Sequence, residues 1–269
     1  MTLESALPAT VRRERILELV ESRGFVRVSE LSDRFGISEV TLRTDLDALA
    51  RDSLVQRIHG GAMSAKPTAP ATPEQPFAQT ALAAANQKRE IGIASAARVT
   101  SGQTIILDVG TTTAAIAAAL ADRVDLTDLT IVTNALNIAI ELEAVVPRFT
   151  VIVTGGTLRP LQHSLVDPLA AAVLDQIRAD IAFIGCSGVD AVAGVTNVNL
   201  PEADVKRRML GAAAKKVVVA DSGKLGVSHH SRVAALGDVD ELITSADADP
   251  ADVERLRAAG LTVTLAAAS

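Results

Sequence analysis

The 269-residue sequence predicts an α/β chain in two parts: a small helical unit with a hairpin, then a parallel sheet covered by helices on both faces. Three observations predict it. Two short amphipathic segments near the N-terminus meet at a tight turn around Gly36. Four prolines (Pro67, Pro70, Pro73 and Pro76) then fall among Ala and Thr. Beyond them, Val- and Ile-rich segments alternate with helical ones.

Between Thr10 and Arg23, apolar Val11, Ile16, Leu17, Leu19 and Val20 recur on a helical period that Gly24 stops. Phe25 to Val28 reads as a short extended piece. Ser29 is expected to cap a helix carrying Leu31 and Phe35. Ser38 is expected to cap a longer helix through Val40, Leu42, Leu46 and Leu49. A strand over 54–58 and a tight turn at His59-Gly60-Gly61 complete a winged helix-turn-helix. Residues 1–64 are assigned to this domain, 65–77 to an extended linker and 78–269 to a second domain.

In the second domain the expected strands are 104–108, 129–133, 150–154, 181–185, 216–220, 241–244 and 261–265. Helices are expected between most of them, including 114–120, 136–145 and 202–214. Continuous apolar strands joined by helical crossovers specify a largely parallel sheet. Ligands of such sheets bind beyond the carboxyl ends of the strands.

Composition narrows the function classes. Hydrophobic residues make up 48% and charged residues 22%, which supports a sizeable core and argues against wholesale disorder. Aromatics are only 2%, with no Trp or Tyr, so base stacking on single-stranded nucleic acid has little to work with. The net charge is −6, but residues 1–66 are neutral with ten basic and ten acidic side chains. The acidic surplus therefore belongs to the second domain and leaves the N-terminal arginines free to form a local patch. The single Cys186 excludes an internal disulfide and fits a reducing compartment. No leader and no apolar run of about 18 residues is read, so a cytoplasmic protein with no membrane partner is expected.

On the second helix of the motif, Glu39, Thr41, Arg43 and Thr44 fall near the start, where groove contacts are made. Arg43 suits guanine or phosphate, and the threonines suit phosphate or a thymine methyl. Ser29 and Ser38 at the helix starts, with Arg57 and His59 at the wing, complete the expected DNA contacts. A solvated three-helix bundle with a surface turn is the plainer alternative.

In the second domain a strand runs through Asp108 and Gly110 into Thr111, Thr112 and Thr113 at a helix start. Backbone amides and hydroxyls there suit an anion such as phosphate, although simple helix capping explains the same residues. No Gly-Lys-Ser/Thr follows, so this is not a Walker loop. Other strand ends carry Thr133 and Asn134, Gly155 and Gly156, Asp190, and Asp221 with Lys224. Together they predict one polar pocket. Glu202 and Lys206 form either an i,i+4 ion pair on a solvated face or a pair facing that pocket. The four histidines show no metal-ligand spacing, and Cys186 reads as a small buried residue rather than a nucleophile. Neither a metal nor a cofactor is expected.

These motifs resemble the DeoR family of bacterial transcriptional regulators. The N-terminal match runs from Arg12 through Ile16 and Val20 to Ser38-x-x-Thr41-Leu42-Arg43-Thr44-Asp45-Leu46 and the wing Val55-x-Arg57-x-His59-Gly60-Gly61. Thr44 stands where a basic residue is common. The C-terminal match takes in Leu107-Asp108-x-Gly110-Thr111-Thr112, Val132-Thr133-Asn134, Thr154-Gly155-Gly156, Gly188-Val189-Asp190, Gly194-Val195-Thr196, Glu202-Ala203 and Ala220-Asp221-Ser222-x-Lys224. Leu225 replaces a frequent Phe.

The resemblance implies a second domain folded like ribose-phosphate isomerases and coenzyme A transferases. That domain serves as a sensor of phosphorylated sugars rather than an enzyme. It implies phosphate at residues 110–113 and sugar contacts from Asp108, Asn134, Glu202, Lys206, Asp221 or Lys224. The expected function is a repressor of a carbohydrate-metabolism operon, binding double-stranded operator DNA under control of a phosphorylated sugar. The alternative is an active sugar-phosphate isomerase fused to a DNA-binding domain, with Asp190 or Glu202 as base. One small helix-turn-helix covers few base pairs, so a homodimer or homotetramer is expected. With no heptad zipper, it should assemble mainly through the second domain.

Overall fold

A computed structural model of the chain describes residues 8–23, 25–52, 54–58, 60–64 and 74–267. Three of the four prolines that suggested a linker, and His59 at the wing, lie outside the described residues. The chain divides into two compact units, the second beginning at Glu74.

The first unit contains α1 (Ala9–Arg23), β1 (Phe25–Arg27), α2 (Val28–Phe35), α3 (Glu39–Arg51), β2 (Val55–Ile58) and β3 (Gly61–Ser64). Its strands form an antiparallel sheet in the order β1-β3-β2. Gly36 takes the left-handed conformation (φ 64°) that ends α2, and its N–H bonds the Ser32 carbonyl. Ile16, Val20, Leu31, Phe35, Leu42, Leu46, Leu49, Val55 and Ala62 form the core. Buried Asp45 ties α3 to α1 by accepting from Arg12 Nε at 2.6 Å and Arg13 Nε at 2.8 Å.

Two expectations fail in this unit. Ser29 is not a helix cap: β1 is held by β3, Val28 N donates to Gly60 O, and the chain turns directly into α2 after Arg27. Ser29 lies exposed within the first turn. Val40 does not join the apolar stripe either, and is 70% exposed. The buried positions of α3 are Leu42, Asp45, Leu46 and Leu49, a face that Val40 misses.

In the second unit, α4 (Phe77–Leu82) and α5 (Ala85–Ala96) lead into β4 (Thr104–Leu107), α6 (Thr111–Ala121), β5 (Leu129–Thr133), α7 (Leu136–Leu142) and β6 (Phe149–Val153). Next come β7 (Thr157–Arg159), β8 (Ser164–Val166), α8 (Pro168–Leu174), β9 (Ala179–Gly185), β10 (Gly188–Asp190) and β11 (Gly194–Asn197). The chain ends through α9 (Leu200–Gly211), β12 (Ala213–Val219), β13 (Ser231–Ala234), β14 (Glu241–Ser245), α10 (Pro250–Ala258) and β15 (Val263–Ala266).

All seven expected strands enter one parallel sheet, in the order β15-β14-β12-β9-β4-β5-β6. Alternate residues face opposite ways. Ile105, Leu107, Ile131 and Phe183 pack with Ile91 of α5, Ile116 of α6 and Ile138 of α7. Ile106, Val132, Ile184 and Val218 pack with Leu174 of α8, Met209 of α9 and Leu256 of α10. The second unit is therefore a sheet between two helical layers.

The strand order reverses between β4 and β9. From β4 the chain runs outward through β5 and β6, then returns to add β9, β12, β14 and β15 on the other side. A crevice opens at such a reversal because the connections leave the sheet in opposite directions.

Boundaries moved where pairing overrode local preference. The helix expected over 202–214 stops at Gly211, because Ala213 and Lys215 pair with Ala179 and Ile181 of β9. Residues 74–77, expected in the linker, lie against this unit: Phe77 N bonds Leu161 O, and its ring lies 5.4 Å from that of His163.

Candidate functional site

The exposed face of α3 begins at Ser38, whose Oγ accepts from Thr41 N at 3.3 Å and lies 2.9 Å from Thr41 Oγ1. The expected cap is therefore present. Thr41, Arg43 and Thr44 stand exposed on this helix, as a groove-reading surface requires. Arg43 is already engaged: Glu39, one turn back, pairs with its guanidinium at 2.5 Å. Thr44 Oγ1 donates to the Val40 carbonyl at 3.1 Å. Arg57, expected to touch DNA from the wing, also ties the hairpin to α3. Its Nε meets Asp47 at 3.0 Å and its Nη1 donates to Gly61 O at 3.0 Å.

At the reversal of the large sheet, Asp108 follows β4 and Gly185 ends β9. Asp108 Oδ2 accepts from Gly185 N at 3.1 Å and from Lys206 Nζ of α9. Lys206 Nζ also donates to Gly185 O at 3.1 Å. Asp108 and Lys206 are both buried, and Asp108 Oδ1 has no partner. Burial pushes the Asp108 carboxyl up to about 6, against the pull of the Lys206 ammonium. Burial also opposes charge on Lys206, but Asp108 and Glu202 outweigh it and raise its pKa, so the ammonium persists.

Gly110 enters α6 at φ 149° and provides no side-chain cap. The first N–H groups of a helix have no partner within it. The threonines do not act alike. Thr113 Oγ1 bonds the Gly110 carbonyl at 2.9 Å, whereas buried Thr112 Oγ1 has no partner. Thr111 is buried as well.

Glu202 and Lys206 are not a solvated i,i+4 pair, since both are buried and each has its own partner. Glu202 Oε1 accepts from Ser164 Oγ at 2.7 Å and from Arg159 Nη1, while Oε2 accepts from Asn197 Nδ2 at 3.4 Å. The other arm of Arg159 reaches Glu74 Oε2 at 2.7 Å. Asn134 braces two loops, accepting from Val109 N at 2.9 Å and donating to Leu165 O at 3.2 Å. Thr133 Oγ1 accepts from Ala135 N at 3.1 Å.

Asp221 and Lys224 pair at 3.7 Å beyond β12, beside Gln87 of α5, whose Oε1 lies 3.4 Å from Ser222 N. Cys186 is buried just after Gly185, at the end of β9. Burial holds the Cys186 thiol up at about 11, which makes it inert as a nucleophile.

Gly155 and Gly156 carry the chain from β6 into β7. Asp190 closes its own turn. Its Oδ1 accepts from Val192 N and Ala193 N, both at 2.8 Å, and shapes the β10–β11 turn. Arg159, Ser164, Asn197 and Gln87 were not anticipated. A single arginine three residues after the Gly155-Gly156 turn was the available clue for Arg159.

A model of the DeoR-like helix-turn-helix domain matches residues 12–68, and one of the DeoR C terminal sensor domain matches residues 83–246. The chain belongs to the DeoR family. This DeoR-family protein is a helix-turn-helix transcriptional regulator with a C-terminal sensor domain. The HTH-type transcriptional regulator GlpR of Haloferax volcanii is 36% identical to it over 259 residues, 96% of this chain and 97% of the relative. The glycerol-3-phosphate regulon repressor of Escherichia coli K12 is 31% identical over 237 residues, 88% of this chain and 91% of the relative. Among solved structures, ribose 5-phosphate isomerase A from Methanocaldococcus jannaschii aligns at TM-score 0.40 and 17% identity, over 53% of this chain and 55% of that one. Among the described residues, no helix of this DeoR-family protein is long and apolar enough to cross a membrane.

Proposed function

We propose that the protein is a cytoplasmic repressor of a carbohydrate-metabolism operon whose hold on operator DNA is controlled by a phosphorylated sugar. One observation carries the effector reading. At the reversal of the sheet, Asp108 Oδ1, on the carboxylate paired with the buried Lys206 ammonium, and Thr112 Oγ1 at the start of α6 are buried polar atoms without partners. Buried polar atoms are ordinarily satisfied, and a ligand that supplies hydroxyls and a phosphate satisfies these.

In this reading the uncapped N–H groups at residues 111–113 and the Thr112 hydroxyl hold the phosphate. Asp108 accepts from a sugar hydroxyl through Oδ1, while Lys206 holds its Oδ2. Glu202, Asp221 and Lys224 line the rim, and Asn134 and Thr133 keep the loops in place. Residues 1–64 bind the operator through α3. The protein acts as a homodimer or homotetramer assembled through the second unit. The name of the Escherichia coli relative, a repressor of a glycerol-3-phosphate regulon, supports a phosphorylated effector.

Neither carboxylate considered as an isomerase base is given a catalytic role in this reading. An isomerase needs a free carboxylate base beside the substrate's carbonyl carbon. Glu202 is held by Arg159, Ser164 and Asn197, and Asp190 is committed to its turn.

A panel of sugar phosphates and their unphosphorylated parents tests the reading by thermal shift and operator gel shift. A phosphorylated member should raise Tm and change operator affinity, while its parent should do neither. No response to any phosphate would overturn the sensor assignment. Light scattering should give a dimer or tetramer at micromolar concentration.

A further inference from the structure

We propose that α3 reads thymine methyl groups through an apolar strip formed by Val40 and Thr44. The inference rests on the operator-binding reading above and assigns the chemistry of one stretch of operator. Among the described residues of the first unit, Val40 is the large apolar side chain most exposed to water, at 70%. The core takes Leu42, Leu46 and Leu49 from the opposite side of the helix. A β-branched residue at an exposed helical position loses rotamer freedom and gains no packing, so the helix itself draws no benefit from Val40.

Thr44 stands four residues on, directly above Val40 on the same face. Its hydroxyl is committed to the Val40 carbonyl at 3.1 Å, which leaves the Cγ2 methyl as its outward group. The two side chains thus present adjacent methyl groups. Beside them, Arg43 is drawn one turn back onto Glu39 at 2.5 Å. The middle of the exposed face is therefore apolar, with a neutralised cation at its edge.

On the major-groove edges of the base pairs, the apolar feature is the thymine C5 methyl. An apolar strip on a groove-reading helix fits that group and has no hydrogen bond to offer guanine or cytosine.

The test uses the full chain and a duplex enriched by it from a random-sequence pool, titrated at one salt concentration. Each thymine of the duplex is replaced in turn by deoxyuridine, which lacks only the methyl. Loss of one buried methyl should weaken binding about fourfold at the thymines facing the strip. At one such thymine the penalty should vanish in Val40→Ala. At a neighbouring one it should vanish in Thr44→Ser, which keeps the hydroxyl and removes the methyl. Deoxyuridine tolerated at every thymine would overturn the proposal. So would penalties that persist unchanged in both variants. A pool that yields no enriched sequence would instead overturn the operator-binding reading on which the proposal stands.

Discussion

Lys206 donates to Asp108 across 98 positions of sequence, and both side chains are buried. The pair joins α9 to the end of β4 at the reversal of the large sheet. It supplies a fixed charge pair in a low-dielectric crevice and leaves one carboxylate oxygen unpartnered.

Removing one partner of a buried pair strands the other charge. Lys206→Ala should therefore lose roughly 3–5 kcal/mol of unfolding free energy at pH 7, measured by urea denaturation. Asp108 adds a pH dependence. Its folded pKa of about 6 lies above the ordinary value of 3.8, so the folded state holds the extra proton between these values. Its contribution to stability is full below about pH 4 and is lost as pH rises through about 6. The stability of the wild type relative to Asp108→Asn should fall over that window.

Thr112→Val removes a hydroxyl that makes no internal hydrogen bond. Its Tm without effector should match the wild type, since nothing is left unpaired. Affinity for the phosphorylated effector should fall about tenfold, the weight of one hydrogen bond to a charged group. Scanning calorimetry checks the first quantity and isothermal titration calorimetry the second. Undiminished affinity would move the phosphate to Lys206 or Lys224.

Two substitutions on α3 should separate folding from reading. Ser38→Ala loses the cap to Thr41 N and should cost about 1 kcal/mol of first-unit stability. Arg43→Ala lies on the exposed face, so its Tm should not change. Its specific operator affinity, measured at fixed salt, should fall by about 1–3 kcal/mol.

Glu241 gives a pH response of the opposite sign. Burial would raise its pKa, but hydrogen bonds from Arg98, Thr264 and Lys215 outweigh it and hold the carboxyl down at about 2. Its stabilising effect is present above the ordinary value of 4.5 and is lost as pH falls toward 2. Glu241→Gln should be less stable than the wild type at neutral pH. The difference should close on acidification, as followed by thermal melts across that range.

Local pattern was enough to place the strands of the large sheet, though not the short β7, β8, β10, β11 and β13. Apolar periodicity is a local property, and all seven strands of the large sheet were legible from it, as were the Gly36 turn and the Ser38 cap. The polar residues at the strand ends were legible for the same reason, since a strand read along the chain ends where its apolar run ends. Strand order came from long-range pairing, and with it the placing of Asp108 beside Gly185 and Lys206 rather than beside its neighbours in sequence. Folding also turned Val40 outward, took Ser29 out of the cap position, gave Arg57 and Asp190 internal partners, and brought Arg159 onto Glu202 from 43 positions away. The physical reason is common to all of them. A side chain's partner is set by which strands pair and which helix face is buried, and those choices are made by long-range packing that no window of sequence contains.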